Sequence, residues 1–307
     1  MLQGKVTATR WKNGFLVLLA LCITSPPAVA AAGKLVIIKS SDNSYYNQTI
    51  RTLISQLQGL VTVSIIDAGN TRNNQPEALQ NALVVALGKP AVDMAESLSG
   101  KTQQINAYLT LEQFSAMKPK IGHTLVLDQP PQRYLAFSRF LIDPERIGIM
   151  SDNDHQPYPD DEIVARNLTL TLQKYRVDRQ NKLLPVLRKL LAQNDALLML
   201  PQRALYNRDS LKGVLLTSYR YRKPVISYSP AHVKAGALGS IYSSPVDIGR
   251  HLADEVRQIL VARNNLEPGF SFARYYSITT NRKVAQALGI SLPERTELLR
   301  RIEEVTR

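Results

Sequence analysis

The side chains that could do chemistry in this sequence are hydroxyl, phenol, carboxylate and amide groups that directly follow predicted strands. Such groups bind anions and polar small molecules through hydrogen bonds, and tyrosine rings add a flat face for stacking. The candidates are Ser40, Ser41, Asp42, Tyr45, Asp128, Gln129, Ser151, Gln202, Tyr206, Ser227, Tyr228 and Ser229. Because serine, asparagine and aspartate after a strand also cap helices, helix capping is the competing interpretation of each serine.

One short enzyme motif occurs in the sequence: Tyr219–Lys223 (YRYRK) matches the Tyr-x-x-x-Lys pattern of short-chain dehydrogenases. Two fixed positions in five match easily by chance, and the competing interpretation is a basic helix end. The turn after the first strand, Lys39–Ser44, has no glycine, which a dinucleotide site requires there. A phosphate loop, a G-x-S-x-G elbow and an H-E-x-x-H pair are also missing. Four histidines are scattered without metal-ligand spacing, at His123, His155, His232 and His251. We therefore predict no catalytic residue, no metal site and no cofactor.

Short apolar stretches alternate with helical patterns along the chain. LVIIK at Leu35–Lys39 predicts a short buried strand, and VTVSII at Val61–Ile66 and ALVVAL at Ala82–Leu87 predict two more strands in a first block. RIGIM at Arg146–Met150 begins a second block of similar size, in which we expect a helix over residues 162–175. Strand–helix alternation is typical of a parallel sheet covered on both faces. The two blocks predict two Rossmann-like α/β lobes with parallel sheets, joined by crossing strands.

The connections between the lobes must be short, because the sequence has no low-complexity linker. We expect the crossings near Thr124–Gln129, Gly239–Ser244 and Ser277–Asn281. In open α/β sheets, ligands bind beyond the carboxyl ends of the strands. Two lobes that face each other would place both sets of strand ends, and the candidate side chains that follow them, in one cleft.

The first thirty residues have the pattern of an export signal. Lys5, Arg10 and Lys12 precede the apolar run Phe15–Ile23, and small residues end at Ala30. The run is far shorter than the roughly 20 residues that span a bilayer. We expect cleavage near Ala30 and a periplasmic location, with an uncleaved N-terminal anchor as the alternative.

Removal of the signal lowers the net charge and removes the single cysteine. The whole chain has 307 residues, 38 basic and 25 acidic side chains and a net charge of +13. Without residues 1–30 it has 277 residues, 35 basic and 25 acidic side chains, a net charge of +10, and neither its cysteine nor its tryptophan. One cysteine excludes an internal disulfide framework and a thiolate zinc site. Export argues against nucleic acid as the partner of the basic surface.

Basic side chains are concentrated in the second block. They are Arg203, Arg208, Lys212, Arg220, Arg222 and Lys223. This concentration has three interpretations: attraction to anionic ligands, attraction to a negatively charged membrane surface, or a solvated face without a partner.

Several segments of the second half carry recognisable motifs. They are Pro144–Met150 (PERIGIM), Leu200–Gln202 (LPQ), Pro224–Ser229 (PVISYS), Ala235–Leu238 (AGAL), Asp247–Arg250 (DIGR) and Asn281–Pro293 (NRKVAQALGISLP). These segments resemble the substrate-binding proteins of a family of bacterial ABC transporters that includes aromatic-amino-acid binders. The resemblance covers residues 124–293 well and residues 34–123 more weakly.

The resemblance implies the type I periplasmic binding fold, in which two α/β lobes enclose the ligand. It divides the chain into a signal peptide at 1–30, an N-terminal lobe at 31–124 and a C-terminal lobe at 125–239. Part of 240–280 completes the first lobe, and part of 280–307 completes the second.

The same resemblance implies a function. An exported monomer captures a small-molecule solute in the interlobe cleft, closes about its hinge and delivers the solute to an inner-membrane ABC permease. The alternative is a periplasmic sensor component that serves a membrane receptor rather than a permease. An exported enzyme on the same fold is a third hypothesis.

Overall fold

The computed structural model describes residue 1 and residues 33–70, 79–98, 103–152, 161–178, 182–262 and 267–306. The expected signal at 1–30 lies outside these ranges except for Met1. The sequence also predicts the start of a helix over Pro76–Asn81, of which residues 76–78 lie outside the described ranges. Within these ranges, no helix is both long and apolar enough to cross a membrane.

Strands and helices alternate along the described chain. The strands are β1 Gly33–Lys39, β2 Val61–Asp67, β3 Leu83–Leu87, β4 Gln104–Leu109, β5 His123–Val126, β6 Arg146–Ser151, β7 Thr171–Arg176, β8 Ala196–Leu198, β9 Val225–Ser227, β10 Gly239–Tyr242, β11 Gly269–Phe272 and β12 Ser277–Thr280. The helices are α1 Ser44–Gln56, α2 Lys89–Leu98, α3 Leu111–Met117, α4 Pro131–Ile142, α5 Asp161–Asn167, α6 Leu183–Gln193, α7 Arg208–Arg220, α8 Pro230–Ala235, α9 Pro245–Leu260, α10 Arg282–Leu288 and α11 Arg295–Thr306.

The strands form two six-stranded sheets, one in each lobe. The first has the order β11-β5-β4-β3-β1-β2 with every pair parallel, and the second has the order β12-β10-β9-β8-β6-β7. In the second sheet, β12 runs antiparallel to β10 and the other pairs are parallel. The prediction of two α/β lobes with parallel sheets is confirmed.

Apolar side chains on both faces of each sheet explain why helices cover both faces. In β1, Leu35 and Ile37 pack toward α1 and α9, while Val36 and Ile38 pack on the opposite face with α2. All four side chains are fully buried. Each such side chain contributes about 1.5–3 kcal/mol when it is removed from water. A strand that is apolar on both faces is therefore stable only in the middle of three layers.

The helix expected over residues 162–175 is wrong. The chain forms α5 only as far as Asn167, and Thr169 then adopts a φ of 55°, which ends the helix. Residues Thr171–Arg176 instead form β7, which pairs in parallel with β6 at the outer edge of the second sheet. An edge strand has one unpaired side, and its polar sequence TLQKYR lacks the apolar run that identifies a buried strand.

Three short segments connect the lobes. They are residues 127–130 between β5 and α4, residues 243–244 between β10 and α9, and residues 273–276 between β11 and β12. The first two overlap the crossings expected from the sequence. The third lies just before the expected stretch 277–281, because Ser277–Thr280 pair with β10 inside the second sheet.

A chain of hydrogen bonds joins these three crossings. Gln129 Nε2 in the first crossing donates to Ser243 Oγ in the second at 2.9 Å. Ser243 Oγ in turn donates to the carbonyl of Tyr275 in the third at 2.8 Å. Asp247 Oδ2 accepts from the Ser244 hydroxyl at 2.6 Å and from the Ser277 hydroxyl at 2.7 Å. The crossings therefore form one connected unit.

Arg133 of α4 reinforces this unit. Its guanidinium donates to Gln129 Oε1 at 3.0 Å and to the carbonyls of Ala273 and Arg274, and it lies over the ring of Tyr276. Burial lowers the pKa of Arg133 from its ordinary value. Hydrogen bonds to a charged group contribute about 1.5–3 kcal/mol each, and a buried acceptor without its donor is costly.

The variant Arg133→Met tests the contribution of this arginine. Because the variant leaves the carbonyls of the third crossing without their donor, we expect a loss of about 2–4 kcal/mol, or roughly 5–10 °C in melting temperature. Arg139→Met on the same helix is the matched control, since Arg139 pairs with the exposed Asp143. Arg139 also donates to a single backbone carbonyl, that of Pro144 at 3.3 Å, and an ion pair with an exposed partner contributes only about 0–1 kcal/mol. Equal losses in calorimetry of both variants would contradict the assigned role.

Candidate functional site

A cleft of about 950 Å³ lies between the two lobes. Its walls come from residues after β1, β4 and β5 in the first lobe and after β8, β9 and β10 in the second, and it extends along α8 to the start of α10. The lining residues are Asn43, Tyr45, Tyr46, Tyr108, Thr110, Leu127, Pro201, Tyr228, Ser229, Pro230, Ala231, Val233, Lys234, Tyr242, Ser243, Ser244, Pro245, Thr279, Thr280, Asn281, Arg282 and Lys283. The cleft thus meets the carboxyl ends of strands from both sheets, where open α/β sheets bind ligands.

Three tyrosines and the start of α1 form the wall of the first lobe. Asn43 caps α1 by accepting from the backbone N–H of Tyr46 at 3.0 Å. Tyr45 follows the cap and is 59% exposed. The Tyr46 ring meets the Tyr108 ring edge-on, with centroids 4.9 Å apart. This wall presents ring surface, phenol groups and the free N–H groups of a helix start.

Tyr108 reaches the cleft through an irregularity in β4. The register between β4 and β5 shifts between Ala107 and Leu109, and Tyr108 between them has a φ of 65°. A left-handed conformation is costly for an aromatic residue, and such bulges redirect a side chain. The Tyr108 hydroxyl lies 2.6 Å from Thr49 Oγ1. Burial raises the pKa of Tyr108 to about 12, so the phenol stays neutral.

The wall of the second lobe begins directly after β9. The Ser227 hydroxyl accepts from the backbone N–H of Ser229 at 3.3 Å and lies 2.6 Å from Nδ1 of His232, at hydrogen-bond distance. Tyr228 meets the His232 ring edge-on, with centroids 4.9 Å apart. Ser229 caps α8 by accepting from the N–H of Ala231. His232 therefore fixes the position of Tyr228 from behind the wall.

Two ionisable groups of this wall, the buried His232 and the half-buried Tyr228, are neutral near pH 7. Burial lowers the pKa of His232, which favours its neutral ring. Burial also raises the pKa of Tyr228 to about 12, against the opposing effect of Arg203. The charged lining residues that the structure describes, Lys234, Arg282 and Lys283, are all cations and are exposed at the rim. The cleft thus combines a neutral aromatic interior with a positive rim.

Three of the candidate residues line the cleft. They are Tyr45, Tyr228 and Ser229, and Ser227 lies buried directly behind them. Ser229 is also a helix cap, so both interpretations of that serine apply.

The first-lobe candidates other than Tyr45 lie outside the lining of the cleft. The Ser40 hydroxyl donates to the carbonyl of Leu87 at 2.8 Å and accepts from the N–H of Ala91 at 3.1 Å, so it joins β1 to α2. Ser41 Oγ accepts from the amide of Asn43. The hydrogen bond from Lys39 lowers the pKa of Asp42, which also accepts from Asn47. Local capping and pairing occupy these three side chains.

The remaining candidates also have structural partners. Asp128 is buried and accepts from the N–H of Leu111 at 2.7 Å, at the start of α3. Gln129 belongs to the connected crossings. Gln202 accepts from the N–H of Asp152 at 3.3 Å.

Ser151 and Tyr206 likewise lie outside the lining of the cleft. Ser151 ends β6, and its carbonyl accepts from the N–H of Val177 at 2.7 Å. Tyr206 is buried in the core of the second lobe, and its burial raises the pKa of the phenol.

Sequence reasoning missed several lining residues. Tyr46 follows Tyr45 in the first turn of α1, and a helix with its N-terminus at the cleft presents neighbouring positions there. Tyr242 ends β10 and Ser243 follows it, so the rule of polar residues at strand ends would have found them. Tyr108 has no signal in the sequence, because the bulge that redirects it depends on pairing between β4 and β5.

Within the described residues, no group of three or more histidine, cysteine, aspartate and glutamate side chains is arranged to hold a metal ion.

A family model described as ABC transporter substrate binding protein matches residues 161–305. No curated protein matches the chain. Among solved structures, a ligand-free, open substrate binding protein with adhesive properties from Clostridium difficile is 14% identical, with a TM-score of 0.64 over 86% of this chain and 97% of the other.

Two further structures are similar in fold. The ABC domain in complex with L-Trp from Streptococcus pneumonia is 16% identical, with a TM-score of 0.54 over 87% of this chain and 98% of the other. A chain of a XylFII–LytSN complex is 11% identical, with a TM-score of 0.54 over 82% of this chain and 99% of the other. At these identities the likeness establishes the type I periplasmic binding fold.

The buried histidine behind the wall predicts a dependence of stability on pH. The unfolded chain binds a proton at His232 below about pH 6.5, whereas the lowered pKa keeps the folded form neutral. The contribution of neutral His232 to the free energy of unfolding is therefore fully present above about pH 6.5 and is lost as the pH falls below that value. His232→Asn keeps a hydrogen-bonding amide beside Ser227 and cannot titrate. We expect its melting temperature to fall less than that of the unmodified protein between pH 7.5 and pH 5.

His123→Asn provides the control for a histidine elsewhere. His123 bonds to the carbonyl of Glu267 and to Ser271 at the edge of the first sheet, far from α8 in the sequence. If His232→Asn lost as many degrees as the unmodified protein, the histidine would not be the source of the pH dependence.

Proposed function

We propose that the protein captures a small solute and delivers it to an ABC importer. Two findings support this: residues 161–305 match the family model of ABC transporter substrate-binding proteins, and the chain is similar in fold to solved proteins of this kind. The single observation that carries the proposal is the position of the cleft. It lies between two lobes, at their strand ends, and beside the three crossings about which the lobes can rotate.

The walls favour a solute with a ring. Five tyrosines line the cleft among the described residues: Tyr45, Tyr46, Tyr108, Tyr228 and Tyr242. Tyrosine rings stack on flat or sugar-like surfaces, and the phenols add hydrogen bonds. The similar domain from Streptococcus pneumonia was solved in complex with L-Trp, a ligand that carries a ring. A ring-bearing solute likewise fits the tyrosine-lined walls of this protein.

Delivery requires a change of shape that the solute can drive. A solute shifts the equilibrium between open and closed lobes only by its greater affinity for the closed form. Tyr45 and Tyr46 on one lobe and Tyr228 on the other give a bound solute contacts with both walls. Closure would bury the solute between them and form the surface that the permease recognises.

The proposal includes an assignment of each part of the chain. Residues 1–30 are an export signal cleaved near Ala30, and the protein acts in the periplasm as a monomer. Residues 31–124 with part of 240–280 form one lobe, and residues 125–239 with part of 280–307 form the other. The protein binds its solute without a cofactor, a metal or catalytic chemistry, and without nucleic acid.

A second candidate function is delivery of the solute to a membrane receptor. The likeness to a chain solved in a XylFII–LytSN complex favours this candidate, because that chain has the same fold and is bound to another protein. Solute uptake by proteoliposomes that contain the cognate permease distinguishes the two. Uptake that depends on this protein supports the importer, and its absence together with solute binding supports the receptor.

Replacing a tyrosine in the cleft tests solute capture. Tyr45→Ala removes ring contact from the wall, and we expect solute affinity to fall about tenfold, since such contacts contribute about 0.5–1.5 kcal/mol beyond their buried area. Native mass spectrometry of protein purified without refolding identifies the retained solute, and titration then gives the affinity.

Tyr219→Ala is the matched control, because Tyr219 is 58% exposed, nearly as much as Tyr45, but lies outside the cleft. Equal affinities of the Tyr45 variant and the unmodified protein, or a loss confined to the Tyr219 variant, would contradict the assignment of the cleft.

A further inference from the structure

The segment from Lys182 to Lys223 holds most of the excess positive charge. It contains nine basic and two acidic side chains, a net charge of +7, against +10 for the whole of residues 31–307. These residues form α6, β8 and α7 on one side of the second lobe. A charge this concentrated produces a local positive field rather than a general surface property.

Helix α7 places its basic residues in one exposed row. Arg208, Lys212, Leu216 and Arg220 follow at intervals of four, which puts them on the same face of the helix. All four are exposed, and the row continues into the exposed Arg222 after the helix ends. Arg208, Lys212, Leu216, Tyr219, Arg220 and Arg222 are termed here the basic face of α7.

The cations of the basic face have no ion-pair partner among the described residues. The nearest recorded pair is Lys223 with Asp195 at 3.7 Å, just beyond the end of the face. Some exposed cations elsewhere are paired within one helix, such as Arg300 with Glu297 and Lys89 with Asp93. Others, such as Arg51 and Lys118, also have no ion pair among the described residues, but they do not form a row on one helix. Like charges four residues apart destabilise a helix. A row of cations without carboxylates favours an anionic partner outside the chain.

Apolar and aromatic side chains lie among these cations. Leu216 is 48% exposed and Tyr219 is 58% exposed, within one turn of Arg220. Leu184 of α6, also exposed, approaches the position of Gly213 on α7 and extends this apolar surface. Tyrosine is enriched where protein meets the interface of a bilayer, and basic side chains there bind phosphate headgroups.

From this combination we infer that the basic face of α7 docks the protein onto an anionic lipid surface. The phosphate groups of the lipids pair with the arginine and lysine side chains, while Tyr219 and Leu216 enter the headgroup layer. An acidic protein would pair with the cations but would not require the exposed ring and leucine between them. The face therefore fits a bilayer better than an acidic protein.

The end of α7 that holds Arg220 and Arg222 lies away from the cleft. Helix α7 starts after β8 at the cleft edge of the sheet and runs back toward the start of β9 at the opposite edge. Lipid docking there leaves the cleft open to solute. Loss of docking and loss of solute binding are therefore separate outcomes.

Cosedimentation with vesicles tests the inference. We expect residues 31–307 to bind phosphatidylglycerol–phosphatidylcholine vesicles at low salt, and not pure phosphatidylcholine vesicles. The triple variant Lys212→Gln, Arg220→Gln, Arg222→Gln is expected to bind the anionic vesicles about 100-fold more weakly, at about fivefold for each charge removed. The control Arg51→Gln, Lys118→Gln, Lys120→Gln removes the same charge from exposed positions of the first lobe and is expected to bind nearly as well as the unmodified protein.

Tyr219→Ala separates lipid docking from simple attraction of charges. We expect this variant to bind anionic vesicles several-fold more weakly than the unmodified protein and to bind soluble polyglutamate equally well. Inorganic phosphate at millimolar concentration is expected to displace neither the vesicles nor polyglutamate from the unmodified protein. Failure of the unmodified protein to bind anionic vesicles overturns the inference. Three further results would also overturn it: equal losses of vesicle affinity in both triple variants, an unchanged vesicle affinity of the Tyr219→Ala variant, and displacement of the vesicles by free phosphate. Retention of the solute, measured by native mass spectrometry, shows that each variant is folded.

Discussion

The hydrogen bonds from Gln129 to Ser243 and from Ser243 to the carbonyl of Tyr275 connect the three segments that pass between the lobes. Each sheet is built from parts of the chain on both sides of these crossings. The first sheet needs β11 from late in the sequence, and the second needs β12 directly after it. Unless the crossings keep their relative positions, neither sheet has its edge strand and the two cleft walls do not face each other.

The same unit explains why the cleft is beside the crossings. Ser243 and Ser244 line the cleft and also take part in the crossing hydrogen bonds. A solute that contacts this wall touches the segments whose backbone must rotate when the lobes close. Rotation about a few loop residues can move whole lobes while their cores stay packed. Binding and closure are thus linked through shared residues rather than through a distant pathway.

The sequence predicts much of this architecture because the central strands are buried, and buried strands have recognisable apolar runs. The apolar runs of β1 and β3 identify central strands, and the alternation with helices identifies two parallel sheets. It fails at β7 and β11, where edge strands with polar or glycine-containing sequences are specified by pairing with a neighbour. The third crossing moves for the same reason, since Ser277–Thr280 acquire their strand conformation from β10.

The candidate site is harder to predict because one residue type serves two purposes after a strand. Tyr45, Tyr228 and Ser229 reach the cleft, whereas Ser40 and Asp128 satisfy backbone N–H groups at helix starts. Which purpose applies depends on whether a helix begins within reach of the side chain. Tyr108 depends on a bulge with no local pattern, so sequence reasoning had no means to find it.

Small-angle X-ray scattering of residues 31–307, with and without a solute that raises the melting temperature, tests the central claim most directly. The claim is that the lobes close on a solute held in the cleft by rotation at the three crossings. It predicts a smaller radius of gyration with the solute, and no such change in a Tyr45→Ala, Tyr228→Ala variant at the same concentration. An unchanged radius of gyration with every solute that stabilises the protein would contradict it.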